Sequence, residues 1–205
     1  MTWSAGRAGS GCLAAGMTRA SSPSLNQIGG PYGDIVEVLA LTGQGREEVA
    51  RCTWDEIDLK TRTWTLSSDR TKNAKSHEVH LSDPVIALLR RANEQSKFVF
   101  SRSSDSSFQD FSAAKREVDH LSGVTGWRLH DLRRTCVSGM ARLGIAPHVA
   151  DKILNHQAGT ISGVAAVYQR HDFIAERREA LEIWGTHVRQ IIGDRFDNKA
   201  LRIVA

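Results

Sequence analysis

Residues 127–135 read WRLHDLRRT, and this stretch carries the most informative spacing in the chain. His130 and Arg133 stand three positions apart, so on a helix they share one face. Two neighbouring donors of this kind suit a phosphate group, because a guanidinium presents a planar pair of donors to two oxygens. The same spacing also fits a charged helix start that faces solvent, with Arg133 and Arg134 merely hydrated. Taken by itself, the pattern favours that second interpretation.

A second cluster lies downstream, where residues 153–171 read ILNHQAGTISGVAAVYQRH. Tyr168 and Tyr32 are the only two tyrosines in the chain, which narrows the search for a phenolic nucleophile. Alone, Tyr168 would more often be a half-buried core residue with its hydroxyl paired. His156, which follows a predicted short helix, would alone more often be a histidine at a helix C-terminus.

A third cluster lies upstream, where residues 39–59 read LALTGQGREEVARCTWDEIDL and residues 70–82 read RTKNAKSHEVHLS. The second segment is a basic connection inside a predicted hairpin. Lys72 in this connection could act as a general acid, or it could be one more solvated lysine. By itself, the solvated lysine is the commoner case.

The hydrophobic pattern predicts a mainly α protein with a small antiparallel β-sheet (α+β). A helix over residues 34–51 is expected to be interrupted at 42–45, and the hairpin pairs residues 61–66 with 77–81. Ser82 is expected to cap the next helix with its side chain. Further helices are predicted over residues 108–121, 131–143, 147–154 and 174–192. Residues 1–30 are expected to be a disordered or unrelated leader, residues 31–192 one domain, and residues 193–205 a C-terminal tail.

Composition sets mild limits on function. Lys and Arg number 27 against 23 for Asp and Glu, which gives a formal charge of +4 and a pI near 9.2. This excess permits a polyanionic partner without requiring one. The cysteines, Cys12, Cys52 and Cys136, form no metal-binding pattern, and no apolar run could span a bilayer. A cytoplasmic protein without a metal or membrane anchor is therefore expected.

The order of the motifs is more informative than any one of them. TGQxxxEV, WxEIDL, RTKN, HDLRRT, LNH and GVAAVYQRH follow one another along residues 31–188. This ordered set resembles the prophage-type integrases of the tyrosine recombinase family. The resemblance implies the tyrosine recombinase catalytic-domain fold and a site-specific recombinase that cuts and rejoins DNA.

The resemblance also implies a role for each matching residue. Tyr168 would attack phosphorus, leaving a 3′-phosphotyrosine and a 5′-hydroxyl. Lys72 would protonate the leaving oxygen, and Arg133 would neutralise the non-bridging oxygens. His130 and His156 would hydrogen-bond the phosphate and assist proton movement. No nucleotide cofactor would be needed, because the covalent intermediate conserves the bond energy. The resemblance also implies that no metal is needed.

One position departs from the family pattern. Glu48 would steady the active-site helices, and the family's first catalytic arginine stands three residues before that glutamate. Here that position is Gly45, and substitution by the neighbouring Arg46 is improbable because helix neighbours point about 100° apart. Residues 1–30 also cannot supply the upstream clamp domain of such integrases. Together these features predict a truncated catalytic domain, either active or disarmed by Gly45.

Double-stranded DNA is the expected partner, with Arg70, Lys75 and Arg134 as further DNA contacts. The family resemblance implies a homotetramer on paired sites. The main alternative is a non-catalytic remnant of a prophage integrase that binds DNA or another integrase. A metal-dependent nuclease is a weaker alternative, since the sequence offers no carboxylate cluster at metal-ligand spacing.

Overall fold

The structure, a computed structural model, describes residues 30–92, 94–101, 106–156 and 171–201, with side chains described up to residue 192. Within these ranges the chain is mostly helical, with one small sheet. The helices are α1 (Pro31–Thr42), α2 (Arg46–Ala50), α3 (Asp83–Leu89), α4 (Phe111–Ser122), α5 (Leu129–Arg142), α6 (Pro147–Ile153) and α7 (Ile174–Leu201), and the strands are β1 (Ile57–Asp58), β2 (Thr63–Leu66) and β3 (His77–His80). None of these described helices is long and apolar enough to cross a membrane.

The break predicted at residues 42–45 separates α1 from α2. Pro31 opens α1, where its missing N–H is no loss, and Gly43 ends it with a φ of 68°. Gly43 also lies so close to α6 that a Cβ there would stand 2.7 Å from Leu154 Cδ2. Both the turn and the packing therefore require glycine at this position.

The predicted hairpin is confirmed and gains a third strand. β2 pairs antiparallel with β3, and β1 pairs with the other edge of β2. Trp64 and Leu66 of β2 and Val79 of β3 are buried, because alternate side chains point to the same face of the sheet. β1 has only two residues, too few to show an alternating pattern in the sequence.

The helices and this sheet share one hydrophobic core. α1 packs against α5, and α7 lies across α1, α3, α5 and α6. The crossing of α7 over α5 is tight, since a Cβ on Gly139 would overlap the ring of Trp184. Trp184 Nε1 donates a hydrogen bond to Ala40 O at 2.9 Å, which fixes α7 to α1 as well.

Three sequence expectations need correction. Ser82 occupies the N-cap position of α3 without a side-chain capping bond, and the Asp83 N–H instead donates to Glu182 Oε2 of α7 at 3.3 Å. α4 begins at Phe111 rather than residue 108, because Phe108 packs against the rings of Tyr32 and Phe111. α7 runs to Leu201, nine residues beyond the expected end at residue 192.

Candidate active site

A cleft of about 500 Å³ opens between the α1–α2 loop and the first turns of α4 and α5. Its wall carries the side chains of Arg46, Lys115, Arg128, His130 and Arg133, against the single carboxylate of Glu47. Such an excess of cationic groups in a concave site favours an anionic ligand. The cleft therefore contains both members of the HxxR pair, together with Gly45 at its edge.

Arg133 is held in the cleft wall by two backbone carbonyls. Its Nη1 donates to Gly43 O at 2.8 Å, and its Nη2 donates to Leu154 O at 2.6 Å. Burial lowers the pKa of Arg133, and the nearby Glu48 carboxylate opposes that shift. A guanidinium has five N–H donors, so these two bonds leave donors for a bound anion. Arg133 thus joins the α1–α2 loop to the end of α6 while remaining able to bind phosphate.

The two histidines of the candidate site belong to different segments of the chain. His130 is exposed on the first turn of α5, whereas His156 follows α6. Partial burial lowers the pKa of His156, Arg133 and His130 lower it further, and Asp151 opposes them from an Nδ1–Oδ1 distance of 3.9 Å. The Arg133 and His130 side chains are therefore close enough to His156 to influence its charge state.

The carbonyl groups at the end of α6 are held by side chains that the sequence did not single out. Ile153 O accepts hydrogen bonds from Gln44 Nε2 at 2.9 Å and from His77 Nε2 at 3.0 Å. Burial lowers the pKa of His77 to about 4, so this histidine is neutral at neutral pH. His77 stands two positions before the buried Val79 and so shares its face of β3, which was a sequence signal for an inward-facing polar group. Gln44 gave no such signal.

Lys72 lies exposed in the turn between β2 and β3, as does Lys75. The turn meets the end of α6 through a pair of amide side chains, with Asn73 Nδ2 donating to Asn155 Oδ1 at 2.7 Å. Asn155 immediately precedes His156, so the contact brings the Lys72 turn beside the histidine. Sequence reasoning gave neither asparagine a role, because nothing local links positions that are 82 residues apart.

Gly45 is the N-cap residue of α2, and its N–H donates to Glu48 Oε2 at 2.6 Å. Its φ of −76° and ψ of 149° are open to any L-residue. A Cβ there would stand 2.8 Å from the same Oε2, the movable end of the Glu48 side chain. Arg46 lines the cleft but pairs with Glu47 at 2.7 Å and stacks over the Phe111 ring at 4.9 Å. The Arg46 guanidinium therefore contacts Glu47 and Phe111 and does not take the place of a side chain at Gly45.

The remaining expected DNA contacts lie in different environments. Arg70 forms an ion pair with Glu56, donates to Glu48 O at 2.9 Å, and is 19% exposed. These bonds tie its guanidinium to Glu56 and to the α2 backbone at Glu48. Arg134 is 69% exposed, and among the described residues it contacts Asp131 at 3.4 Å. Tyr168 and the motif around it lie outside the described residues.

Comparison with known proteins assigns the family. The Phage integrase family matches residues 26–173, so the chain belongs to this family, whose members are tyrosine recombinases that cut and rejoin DNA. A curated relative is the prophage integrase IntA of Escherichia coli (strain K12), 30% identical over 149 residues. The match covers 69% of this chain and 35% of the relative, so the chain spans about a third of that protein's length.

Two solved structures share the fold. The integrase from mycobacterium phage Brujita aligns with a TM-score of 0.61 and 17% identity, over 89% of this chain and 59% of its own. The XerA recombinase aligns with a TM-score of 0.55 and 20% identity, over 91% of this chain and 65% of its own. The mainly α architecture with a small antiparallel sheet is therefore that of a tyrosine recombinase catalytic domain, as the sequence predicted.

Proposed function

We propose that this chain is the catalytic domain of a site-specific DNA recombinase that acts on double-stranded DNA through a 3′-phosphotyrosine at Tyr168. The observation that supports the proposal most directly is the placement of Arg133. Its guanidinium is anchored by Gly43 O and Leu154 O in a cationic cleft, with His130 on the same wall and His156 within electrostatic range. One phosphodiester would fit such a cluster of donors.

The proposed reaction exchanges one phosphoester bond for another. The Tyr168 oxygen attacks phosphorus, the bond from phosphorus to the 5′ oxygen breaks, and Lys72 gives that oxygen a proton. Arg133 and His130 stabilise the charge that develops on the non-bridging oxygens. His156, whose lowered pKa favours the neutral imidazole, can accept the tyrosine proton. Attack by a 5′-hydroxyl on the phosphotyrosine reverses these steps, and a tetramer on paired sites would let the strands exchange.

A second candidate function is favoured by Gly45. This glycine leaves the cleft without a guanidinium three positions before Glu48, and the Glu48 carboxylate accepts a hydrogen bond from the Gly45 N–H instead. Removal of an arginine that stabilises phosphoryl-transfer charge costs roughly 10³–10⁵ in rate. A domain that binds DNA or a partner integrase without cutting is therefore the alternative proposal.

A covalent-adduct assay separates the two candidates. Nicked duplexes, tiled from the DNA flanking the gene, lose a short fragment after attack and trap the protein on DNA for denaturing gels. The wild-type chain, Gly45→Arg, Gly45→Ala and Tyr168→Phe are compared. Gly45→Ala is the matched control, because it adds the Cβ near Glu48 without adding charge.

The proteins that form an adduct in this assay show which of the two candidate functions holds. An adduct with wild type that is lost in Tyr168→Phe supports the recombinase proposal. An adduct with Gly45→Arg but with neither wild type nor Gly45→Ala supports the non-catalytic alternative, with an intact scaffold. An adduct that persists in Tyr168→Phe would exclude Tyr168 as the nucleophile and refute the mechanism.

A further inference from the structure

The contact between the β2–β3 turn and α6 has a fixed donor and a fixed acceptor. Asn73 Oδ1 accepts from the Lys75 N–H at 3.2 Å, which turns the amide nitrogen of Asn73 toward Asn155 Oδ1, 2.7 Å away. The reverse contact, from Asn155 Nδ2 to Asn73 Oδ1, is longer at 3.4 Å. One directed hydrogen bond therefore carries the interaction, and its acceptor is Asn155.

The α6 side of this contact is rigid. Ile153 O and Leu154 O, the carbonyls just before Asn155, are held by Gln44, His77 and Arg133. Asn155 itself has a φ of 53°, a left-handed conformation that asparagine tolerates better than most residues. The chain thus keeps an αL residue at the helix end whose side chain also reaches the turn.

The turn side is a closed unit with an exposed outer edge. Thr71 Oγ1 donates to Lys75 O at 2.6 Å and accepts from the Lys75 N–H at 3.1 Å. These bonds shape the turn internally, but Lys72, Ala74 and Lys75 are exposed to solvent. Arg70 anchors the start of the turn to Glu56 and to Glu48 O, so the part around Lys72 and Lys75 can still tilt unless a further contact holds it.

We propose that the Asn73–Asn155 amide pair is a latch that holds the β2–β3 turn against the end of α6 and thereby sets Lys72 relative to His156. Both asparagines are positioning residues that act through their neighbours. The contact of the turn with α6 does not depend on whether the protein cuts DNA. Its effect on proton delivery by Lys72 rests on the proposed function.

Protease sensitivity tests the latch without DNA. Asn155→Gly removes the amide but accepts the positive φ, whereas Asn155→Asp keeps an oxygen acceptor for Asn73. Neither change alters the turn sequence. Trypsin cleavage after Lys72 and Lys75 should accelerate about fivefold in Asn155→Gly, the factor equivalent to a net hydrogen bond of about 1 kcal/mol, and should match wild type in Asn155→Asp.

Cleavage after Lys60, exposed in the β1–β2 turn, reports opening of the rest of the sheet. It should stay unchanged in all three proteins. Equal acceleration at Lys60 and Lys72, or no acceleration at Lys72 in Asn155→Gly, overturns the latch.

A sulfur-substituted substrate tests the link to Lys72. When sulfur replaces the bridging 5′ oxygen, the leaving thiolate needs no proton. Adduct formation by Asn155→Gly and by Lys72→Ala should fall on ordinary nicked DNA, and both defects should disappear on the sulfur DNA. A defect of Asn155→Gly that persists on sulfur DNA overturns the positioning of Lys72. If wild type forms no adduct on either DNA, the proposed function fails, and the trypsin result alone decides the latch.

Discussion

Replacing Arg133 with alanine should destabilise the fold as well as empty the cleft of its anchored guanidinium. Arg133 donates to Gly43 O at 2.8 Å and to Leu154 O at 2.6 Å, so it ties the α1–α2 loop to the end of α6. These two segments carry Gly45 on one side and His156 on the other. The structural role can be measured without any DNA substrate.

The expected size follows from those two bonds. A hydrogen bond with a charged donor contributes about 1.5–3 kcal/mol, and rehydration of the freed carbonyls recovers part of it. The free energy of unfolding should therefore fall by about 2–4 kcal/mol. For a chain of this length, each 1 kcal/mol lowers Tm by about 2–4 °C, which gives a decrease of roughly 4–16 °C.

The matched control for Arg133→Ala is Arg134→Ala, at the next position of α5. Arg134 is 69% exposed and makes one 3.4 Å contact with Asp131, so Arg134→Ala should change the free energy of unfolding by less than about 0.5 kcal/mol. Arg133→Lys should fall between the two, because an ammonium can replace only one bond of the guanidinium fork. Urea and thermal unfolding followed by circular dichroism measure all three. Equal stability of Arg133→Ala and Arg134→Ala would refute the anchoring role.

Two further perturbations test the interior. The folded-state pKa of His77 is about 4, below the 6.5 of a free histidine. Between these two pH values the unfolded state therefore binds more protons than the folded state, so the free energy of unfolding should fall as the pH drops from 6.5 toward 4. His77→Gln, which keeps an amide donor, should flatten that part of the stability-versus-pH curve; an unchanged curve would contradict burial of a neutral imidazole. Glu56→Ala should cost about 3–5 kcal/mol, since Arg70 at 19% exposure would lose its ion-pair partner. The double change Glu56→Ala/Arg70→Met should recover much of this loss in the same urea titration, and no recovery would show that Glu56 acts chiefly through its other contacts.

Helix boundaries in this chain follow from local chemistry. Pro31 starts a helix and Gly43 ends it because their backbone preferences act within a few residues. The N-terminus of α3 at Ser82 depends on a contact from a distant part of the chain. Ser82 stands at the predicted N-cap, but the group that bonds the Asp83 N–H is Glu182, which only the docking of α7 brings there.

The candidate site divides in the same way. The HxxR spacing placed His130 and Arg133 on one helix, and both line the cleft. The ion pair of Arg70 with Glu56 could not be predicted from the sequence. An arginine in a basic hairpin has the same local sequence whether it faces solvent or pairs with a distant carboxylate. The sequence shows the charge of a side chain, whereas packing decides which group neutralises it.

The sequence by itself determined the family, the order of the elements, and the residue types available for phosphate chemistry, because motif order and backbone preference are properties of the chain. Only the tertiary structure decided that Gln44, His77 and Arg133 hold the last carbonyls of α6, and that Asn73 meets Asn155. Those contacts join positions up to 109 residues apart. A hydrogen bond needs its atoms within about 3 Å, and only the packed fold brings atoms from such distant positions that close.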